Sequence, residues 1–199
     1  MPRRYNRPLT DTAGVALIEA LVAIALLASA FVALAGLLAT AASSTYRAHI
    51  VSSAAILASR KTEQLRSLAW SMDAAGRPIS DVSTDTAAEE DDKGECPTVG
   101  QSVGTGLSAS PPGTLDADVA GYVDYVNGSG CGLGGGDRPP PGTVYVRRWS
   151  VTPHPALPDA ALVLQVVVFR YDPAASGQYA LRGAPGTARL ISIKSRKRL

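Results

Sequence analysis

An apolar run from Ala20 to Ala42 constrains this chain of 199 residues more than any other feature. No charged side chain interrupts it, and Leu, Ala, Val, Ile and Phe dominate it. At about 1.5 Å per residue such a run crosses the hydrocarbon core of a bilayer, which is about 30 Å thick. We therefore predict a transmembrane helix over residues 15–42. The basic residues Arg3, Arg4 and Arg7 precede it, which favours a cytoplasmic N-terminus and places the rest of the chain across the membrane.

A cleaved secretory signal is the alternative interpretation of this run. The apolar part of such a signal is usually about 7–15 residues long, so this run is longer than expected. The small residues from Ala39 to Ser44 nevertheless suit a signal cleavage site, and the alternative stays open at this stage.

The sequence keeps a helical pattern of apolar residues beyond the apolar run. From Tyr46 to Met72 apolar residues recur mostly at steps of three and four, with polar residues between them. Gly76 and Pro78 supply a stop signal. The pattern predicts an amphipathic continuation over residues 43–75, so that one long helix enters lipid with its first half and packs against another element with its second.

Four later segments have the composition of β-strands, being rich in β-branched and aromatic residues and separated by Gly, Pro and Asp. They are residues 121–126, 143–151, 161–171 and 188–193. No helical pattern separates them, which favours an antiparallel sheet over residues 121–199. The predicted fold class is therefore α+β, a long N-terminal helix packed on a small antiparallel β-sheet.

Alternation along the second segment predicts which side chains share a face of that sheet. Tyr145, Arg147, Trp149 and Val151 would lie on one face, and Val144, Val146 and Arg148 on the other.

Residues 76–120 form an acidic region without clear periodicity, and we predict a long loop. A loop of this length in a compact domain is typically functional or partly disordered. The carboxylates from Glu89 to Asp92 offer oxygens to Ca²⁺, but they lack the alternation of a calcium loop, so a solvated turn is favoured and no metal site is predicted.

His49 and His154 are the only histidines, and no catalytic set can be built from them.

At the N-terminus, a basic leader is followed by Gly14, an apolar residue and "ALIEALVAIALLASA". This stretch resembles the signal of type IV prepilins and type II secretion pseudopilins. The resemblance covers roughly residues 3–70. Two later stretches are similar to PilV-like minor pilins and GspI-like minor pseudopilins: "LASRKTEQLRSLAW" at the helix end and "YVRRWSVTP" with "LVLQVVVFRY" in the sheet. Val15 and Ala16 depart from the phenylalanine and threonine usual in the family.

This resemblance implies a processing step and a set of partners. A prepilin peptidase would remove residues 1–14 by cutting between Gly14 and Val15, and would methylate the new N-terminus at Val15. Glu19 would be the fifth residue of the mature chain and would act in assembly. The other implied partners are further pilin or pseudopilin subunits and an inner-membrane assembly platform.

Glu19 has a physical interpretation that does not require the resemblance. A carboxylate deep in a membrane helix costs about 2.5–3.5 kcal/mol on insertion scales, so it usually has a partner or a function. An amine freed at Val15 of a neighbouring subunit would neutralise it. The alternative is that Glu19 only reaches towards the cytoplasmic headgroups.

The two cysteines, Cys96 and Cys131, both fall after the apolar run and do not form a C-x-x-C motif. On the oxidising side of a membrane such a pair is typically a disulfide. Two independent free thiols remain the alternative.

These features predict a non-catalytic minor pilin or pseudopilin without a cofactor, anchored by one pass in the inner membrane with a periplasmic head, and placed at or near a filament tip after assembly. The basic tail from Lys194 to Arg198 is the one feature that would suit nucleic acid. A short basic end is usually just solvated, so nucleic acid is an unlikely partner. The alternative from a different class is a signal-anchored envelope protein with a ligand-binding or enzymatic head.

Overall fold

The computed structural model describes residues 12–70, 84–87, 96, 106–173 and 186–196. For residues 12–14 it describes the backbone alone. The chain divides into two compact units, Met1–Tyr46 and Arg47–Leu199. Within the described residues the regular elements are one helix and four strands: α1 Thr12–Ser67, β1 Val123–Val126, β2 Tyr145–His154, β3 Leu157–Arg170 and β4 Ala188–Ser195.

The long N-terminal helix and the antiparallel sheet confirm the predicted α+β layout. α1 contains 56 residues, and its backbone is already helical at the end of the predicted leader, over Thr12–Gly14. The rest of the leader, residues 1–11, lies outside the described residues.

The helix ends earlier than the stop signals predict, at Ser67 and not at residue 75. The reason is a contact that is distant in sequence. Ala69 forms a parallel bridge with Gly106, and the carbonyl of Ala69 accepts a hydrogen bond of 2.8 Å from the amide of Leu107. The backbone of this segment is therefore engaged in a bridge and not in a further helical turn.

The sheet is a meander in which every neighbouring pair is antiparallel, in the order β1-β2-β3-β4. Each predicted strand segment overlaps one of the observed strands, with different ends. The largest difference is at the β2–β3 hairpin, where the proline-rich "TPHPALP" is mostly strand. The register shifts between Pro153 and His154. Such an irregularity accommodates a residue that lacks a ladder donor.

The second unit has its larger core between the later part of α1 and the sheet. Ala54, Leu57, Ala58 and Leu65 of the helix pack in one cluster with Tyr145, Trp149 and Val151 of β2 and with Leu162, Leu164, Val166 and Val168 of β3. A smaller cluster lies on the opposite face and contains Val123, Tyr125, Val146, Val167 and Phe169. The alternation predicted for β2 is confirmed within the strand, because Tyr145, Trp149 and Val151 belong to the larger cluster and Val146 belongs to the smaller one. Val144, which precedes β2, is the exception, since it packs against the larger cluster.

Parts of the predicted acidic loop contribute to this core. Leu107 is fully buried on the helix side of the sheet, and Ala87 and Thr86 are buried as well. The amide of Ser110 donates to the carbonyl of Val151, which attaches residues 106–110 to β2.

Candidate functional site

The first candidate site is the apolar segment of α1 from Val15 to Leu38. Thirteen large apolar side chains in this segment are between 53% and 74% exposed. A helix that is apolar on all sides is normally found inside a large protein core or in a bilayer. By its length and composition, α1 is long and apolar enough to cross a membrane.

The hydroxyl groups of the first unit also suit an apolar environment. Ser29, Thr40, Ser43 and Thr45 each donate to a carbonyl three or four residues earlier in the helix, at 2.8–3.0 Å. Their donors are therefore satisfied within α1 and need no water, which lowers the cost of placing them in lipid.

The predicted processing and assembly residues lie together in the first turns of α1. Val15 and Glu19 are four residues apart and therefore lie on one side of the helix, and both are exposed. Gly14 precedes them directly, and only its backbone is described. Glu19 is the sole charged residue between Val15 and Tyr46. No residue in the described part of the chain forms an ion pair with it.

The second candidate site is a buried charge cluster made by Lys61 of α1, Asp124 of β1 and Arg147 of β2. The ammonium of Lys61 is 2.7 Å from Oδ2 of Asp124, and Nε of Arg147 is 2.6 Å from Oδ1. Nη2 of Arg147 donates to Oδ2 at 2.7 Å, so the guanidinium binds the carboxylate with two parallel hydrogen bonds. All three side chains are at most 1% exposed.

The surroundings of the charge cluster satisfy the remaining donors of Lys61. Its ammonium donates to the carbonyl of Thr86 at 2.8 Å and to Oε1 of Gln64 at 2.7 Å, and it lies 4.1 Å from the centre of the Trp149 ring. The indole of Trp149 donates to the hydroxyl of Thr86, which donates in turn to the carbonyl of Gly121. Thr86 therefore connects the helix, β2 and the segment before β1.

The charge cluster holds Asp124 in its ionised form. Burial acts to raise the pKa of this carboxyl group, but the charges of Arg147 and Lys61 and their hydrogen bonds outweigh burial and lower the pKa below its ordinary value of 3.8. A carboxylate with a lowered pKa and two bound cations is a weak base. The arrangement therefore suits structural cohesion between α1 and the sheet and not proton transfer.

A second ion pair lies on the opposite face of β2. Arg148 donates from Nε to Asp118 at 2.8 Å, and its guanidinium carbon is 5.1 Å from the centre of the Phe169 ring. This pair attaches the turn before β1 to the smaller core.

The structure contains the predicted disulfide between Cys96 and Cys131, with the two Cα atoms 5.4 Å apart. Asn127, the first residue after β1, holds Cys131 in place with two hydrogen bonds. Its side-chain oxygen accepts from the amide of Cys131 at 2.9 Å, and its amide donates to the Cys131 carbonyl at 2.9 Å. The disulfide thus attaches residue 96 to the turn that closes the edge of β1.

Other groups singled out in the sequence do not come together in a site. His154 accepts from the amide of Ala156 in the β2–β3 turn, and His49 lies on α1. The acidic residues from Glu89 to Asp92 lie outside the described residues. In the described ranges no group of three or more His, Cys, Asp or Glu side chains is placed to hold a metal ion.

Sequence reasoning missed Lys61, Asp124 and Thr86 as a connected group. A signal for Lys61 was present, since it lies midway between Leu57 and Leu65 on the buried side of α1. A lysine in such a stripe needs an acidic partner on the facing element. The partner and the bridging Thr86 come from sequence positions that no local pattern connects to the helix.

Comparison of the chain with protein-family models, with characterised proteins and with solved structures finds no significant match.

Proposed function

We propose that this protein is a membrane-anchored assembly subunit with an α+β head, and more specifically a minor pilin or minor pseudopilin of a type IV pilus or type II secretion system. In this role it is not an enzyme. The observation that carries the proposal is that one helix, α1, supplies an apolar exposed segment in one unit and the buried face of the head in the other.

The apolar segment gives the proposal its energetic basis. Fully burying an exposed Val, Leu, Ile or Phe side chain contributes about 1.5–3 kcal/mol, and the thirteen side chains here are 53–74% exposed, so covering them contributes on the order of 10–30 kcal/mol. Lipid covers this surface before assembly, and the equivalent segments of neighbouring subunits cover it in a filament. A prepilin peptidase and an inner-membrane platform are the partners that such a route requires.

Glu19 provides the specific part of the proposal. It is the one charged group on a segment that is otherwise suited to lipid. It lies four residues after Val15, which would be the first residue after cleavage between Gly14 and Val15. In one helix, Val15 is about 6 Å before Glu19 along the axis and lies on the same side. In a filament, the carboxylate pairs with the amine of a neighbouring subunit displaced along the axis. This ion pair then forms only at one displacement between neighbouring subunits, and so it fixes their relative position.

The disulfide supports a head on the oxidising side of the membrane. Disulfides persist in the periplasm and are rare in the cytosol. Cys96 and Cys131 both belong to the head, and their bond agrees with a cytoplasmic N-terminus and a periplasmic C-terminal unit.

Processing tests the proposal directly. In cells with an active prepilin peptidase, intact-mass analysis of the extracted protein should show a chain that begins at Val15, with one added methyl group. Substitution Gly14→Leu should leave the leader attached. Gly36→Ala is the matched control, because Gly36 is a helical glycine with no atom within 4 Å of an added Cβ, and this variant should be processed normally.

Two results would reject the proposal. An intact chain beginning at Met1 would indicate the signal-anchored alternative. A chain that begins after Ala42 would indicate a cleaved secretory signal.

A further inference from the structure

The outer edge of β4 differs from the other edge of the sheet. At the β1 edge, the amide of Tyr125 donates to the carbonyl of Gly134 at 3.0 Å, and the amide of Leu133 donates to the carbonyl of Tyr125 at 2.7 Å. Residues 131–134 therefore cover β1. For β4, the described residues supply only β3 as a partner.

The pairing with β3 determines which backbone groups of β4 face outwards. The amide of Arg196 donates to the carbonyl of Ala160, its partner when the register is continued by one residue. In an antiparallel pair, residues alternate between bonding to the partner strand and pointing away from it. The N–H and C=O groups of Arg189, Ile191, Ile193 and Ser195 therefore point to the outer edge.

The same residues carry an apolar strip on the face of the sheet opposite the helix. Ile191 and Ile193 are 62% and 59% exposed, and they pair with Gln165 and Val163, which are half-buried. Leu190, in contrast, packs against the larger core. The strip thus adjoins a row of backbone donors and acceptors along one edge.

Every charged side chain on β4 and in the sequence after it is basic. From residue 186 to the C-terminus the sequence contains five basic residues and no acidic one. Arg189 donates to Gln165 on the exposed face, and Lys194 donates to the carbonyl of Arg66 at the end of α1. Burial and the charge of Arg66 lower the pKa of Lys194.

The basic residues of β4 favour an acidic strand over a second copy of β4 as the partner at this edge. Pairing β4 with β4 of a second copy would bring two basic strands together, and like charges across a strand pair are unfavourable. An acidic strand would meet complementary charge at both ends of the edge, from Arg189 at one end and from Lys194 and Arg196 at the other. Addition of a strand uses backbone hydrogen bonds for affinity and side-chain contacts for specificity.

We propose that the outer edge of β4 binds an extended acidic segment of another protein as a fifth strand of the sheet. The inference goes beyond the filament role and does not depend on it, because the edge belongs to the head alone.

Fluorescence anisotropy with synthetic peptides tests the inference on the full chain in detergent micelles. The probe is a labelled peptide as long as β4, eight residues, that alternates glutamate with valine. The control peptide alternates lysine with valine. The glutamate peptide should bind, and the lysine peptide should bind at least about tenfold more weakly.

Two substitutions at one position separate edge pairing from simple charge attraction. Ile191→Pro removes an outward N–H and leaves every hydrogen bond to β3 in place, since proline is tolerated at an edge. It should weaken binding of the glutamate peptide by about tenfold or more. Ile191→Thr keeps the N–H and the β-branched shape and should retain the affinity within about threefold. Far-UV circular dichroism checks folding, and Ile193→Pro replaces Ile191→Pro if that variant does not fold.

Several results would overturn the inference. They are absence of binding by the glutamate peptide, equal binding of both peptides, and unchanged affinity of the proline variants. A dimer in sedimentation that Ile191→Pro abolishes would make a second copy the occupant, and this too would overturn it.

Discussion

Substitution Asp124→Asn should destabilise the head more than any other single change in the charge cluster. The variant keeps the size of the side chain but removes the only negative charge between Lys61 and Arg147, whose charged groups approach Asp124 within 2.7 Å and 2.6 Å. Two cations would then remain buried without a counter-charge. Removing one partner of a buried ion pair costs about 3–5 kcal/mol, a large part of a typical domain stability of about 5–15 kcal/mol.

Substitution Lys61→Met provides the contrast, because it leaves the two-bond contact between Asp124 and Arg147 intact. The carbonyl of Thr86 loses its donor, which costs about 1–3 kcal/mol, and the buried methionine offsets part of this loss. We therefore expect Lys61→Met to cost less than Asp124→Asn. The double variant should be less destabilised than the sum of the two single changes, since it leaves one unpaired cation and not two.

Urea unfolding of the full chain in mild detergent measures these differences, with tryptophan fluorescence from the buried Trp149 and the partly buried Trp70 as the signal. Glu63→Gln is the control, because Glu63 and Arg66 form a pair whose side chains are 69% and 52% exposed, and such pairs contribute about 0–1 kcal/mol. If Asp124→Asn costs no more than Glu63→Gln, or less than Lys61→Met, the cluster does not stabilise the head as argued.

Three further predictions concern pH, the disulfide and assembly. Because the folded pKa of Asp124 lies below 3.8, its contribution to stability is complete above pH 3.8 and is lost as pH falls through the folded pKa, so the difference in unfolding free energy between wild type and Asp124→Asn should shrink only on acidification below 3.8. Cys131→Ser opens a loop of 36 residues, counting both cysteines, and should lower the unfolding free energy by up to about 4 kcal/mol; equal urea midpoints for wild type with and without dithiothreitol would contradict this. Glu19→Val should be processed and inserted normally, because it removes an insertion cost of about 2.5–3.5 kcal/mol, yet it should fail to co-purify with the other pilin-like subunits of its system. Unchanged co-purification would mean that Glu19 only reaches the headgroups.

The layout of the fold follows from local patterns in the sequence. The uncharged run from Ala20 to Ala42 and the periodic apolar residues after it predict α1, and alternation predicts that Trp149 and Val146 lie on opposite faces of β2. These features depend on a period of 3.6 or 2 residues, and such a period is visible in a short window. The disulfide was also predictable, from two cysteines beyond the apolar run.

The ends of elements required information that is distant in sequence. The last helical turn is lost because Ala69 bridges to Gly106, and nothing near Ala69 indicates this partner. At the β2–β3 hairpin the strands extend beyond the predicted segments 143–151 and 161–171, since β2 continues to His154 and β3 begins at Leu157. A register shift at Pro153 makes the extension possible, and a shift of this kind is set by the partner strand.

The charge cluster shows why the face of α1 was predictable but its position along the sheet was not. The buried stripe of the helix consists largely of alanine and leucine, Ala54, Leu57, Ala58 and Leu65, and such a surface packs almost equally well after a shift by one turn. A shift of one turn, about 5.4 Å, would separate Lys61 from Asp124 and leave the ammonium of Lys61 buried without a counter-charge. We infer that the ion pair fixes the register of α1 on the sheet. Lys61→Met should therefore lower the slope of the urea transition as well as the stability, because loss of a unique register lowers cooperativity.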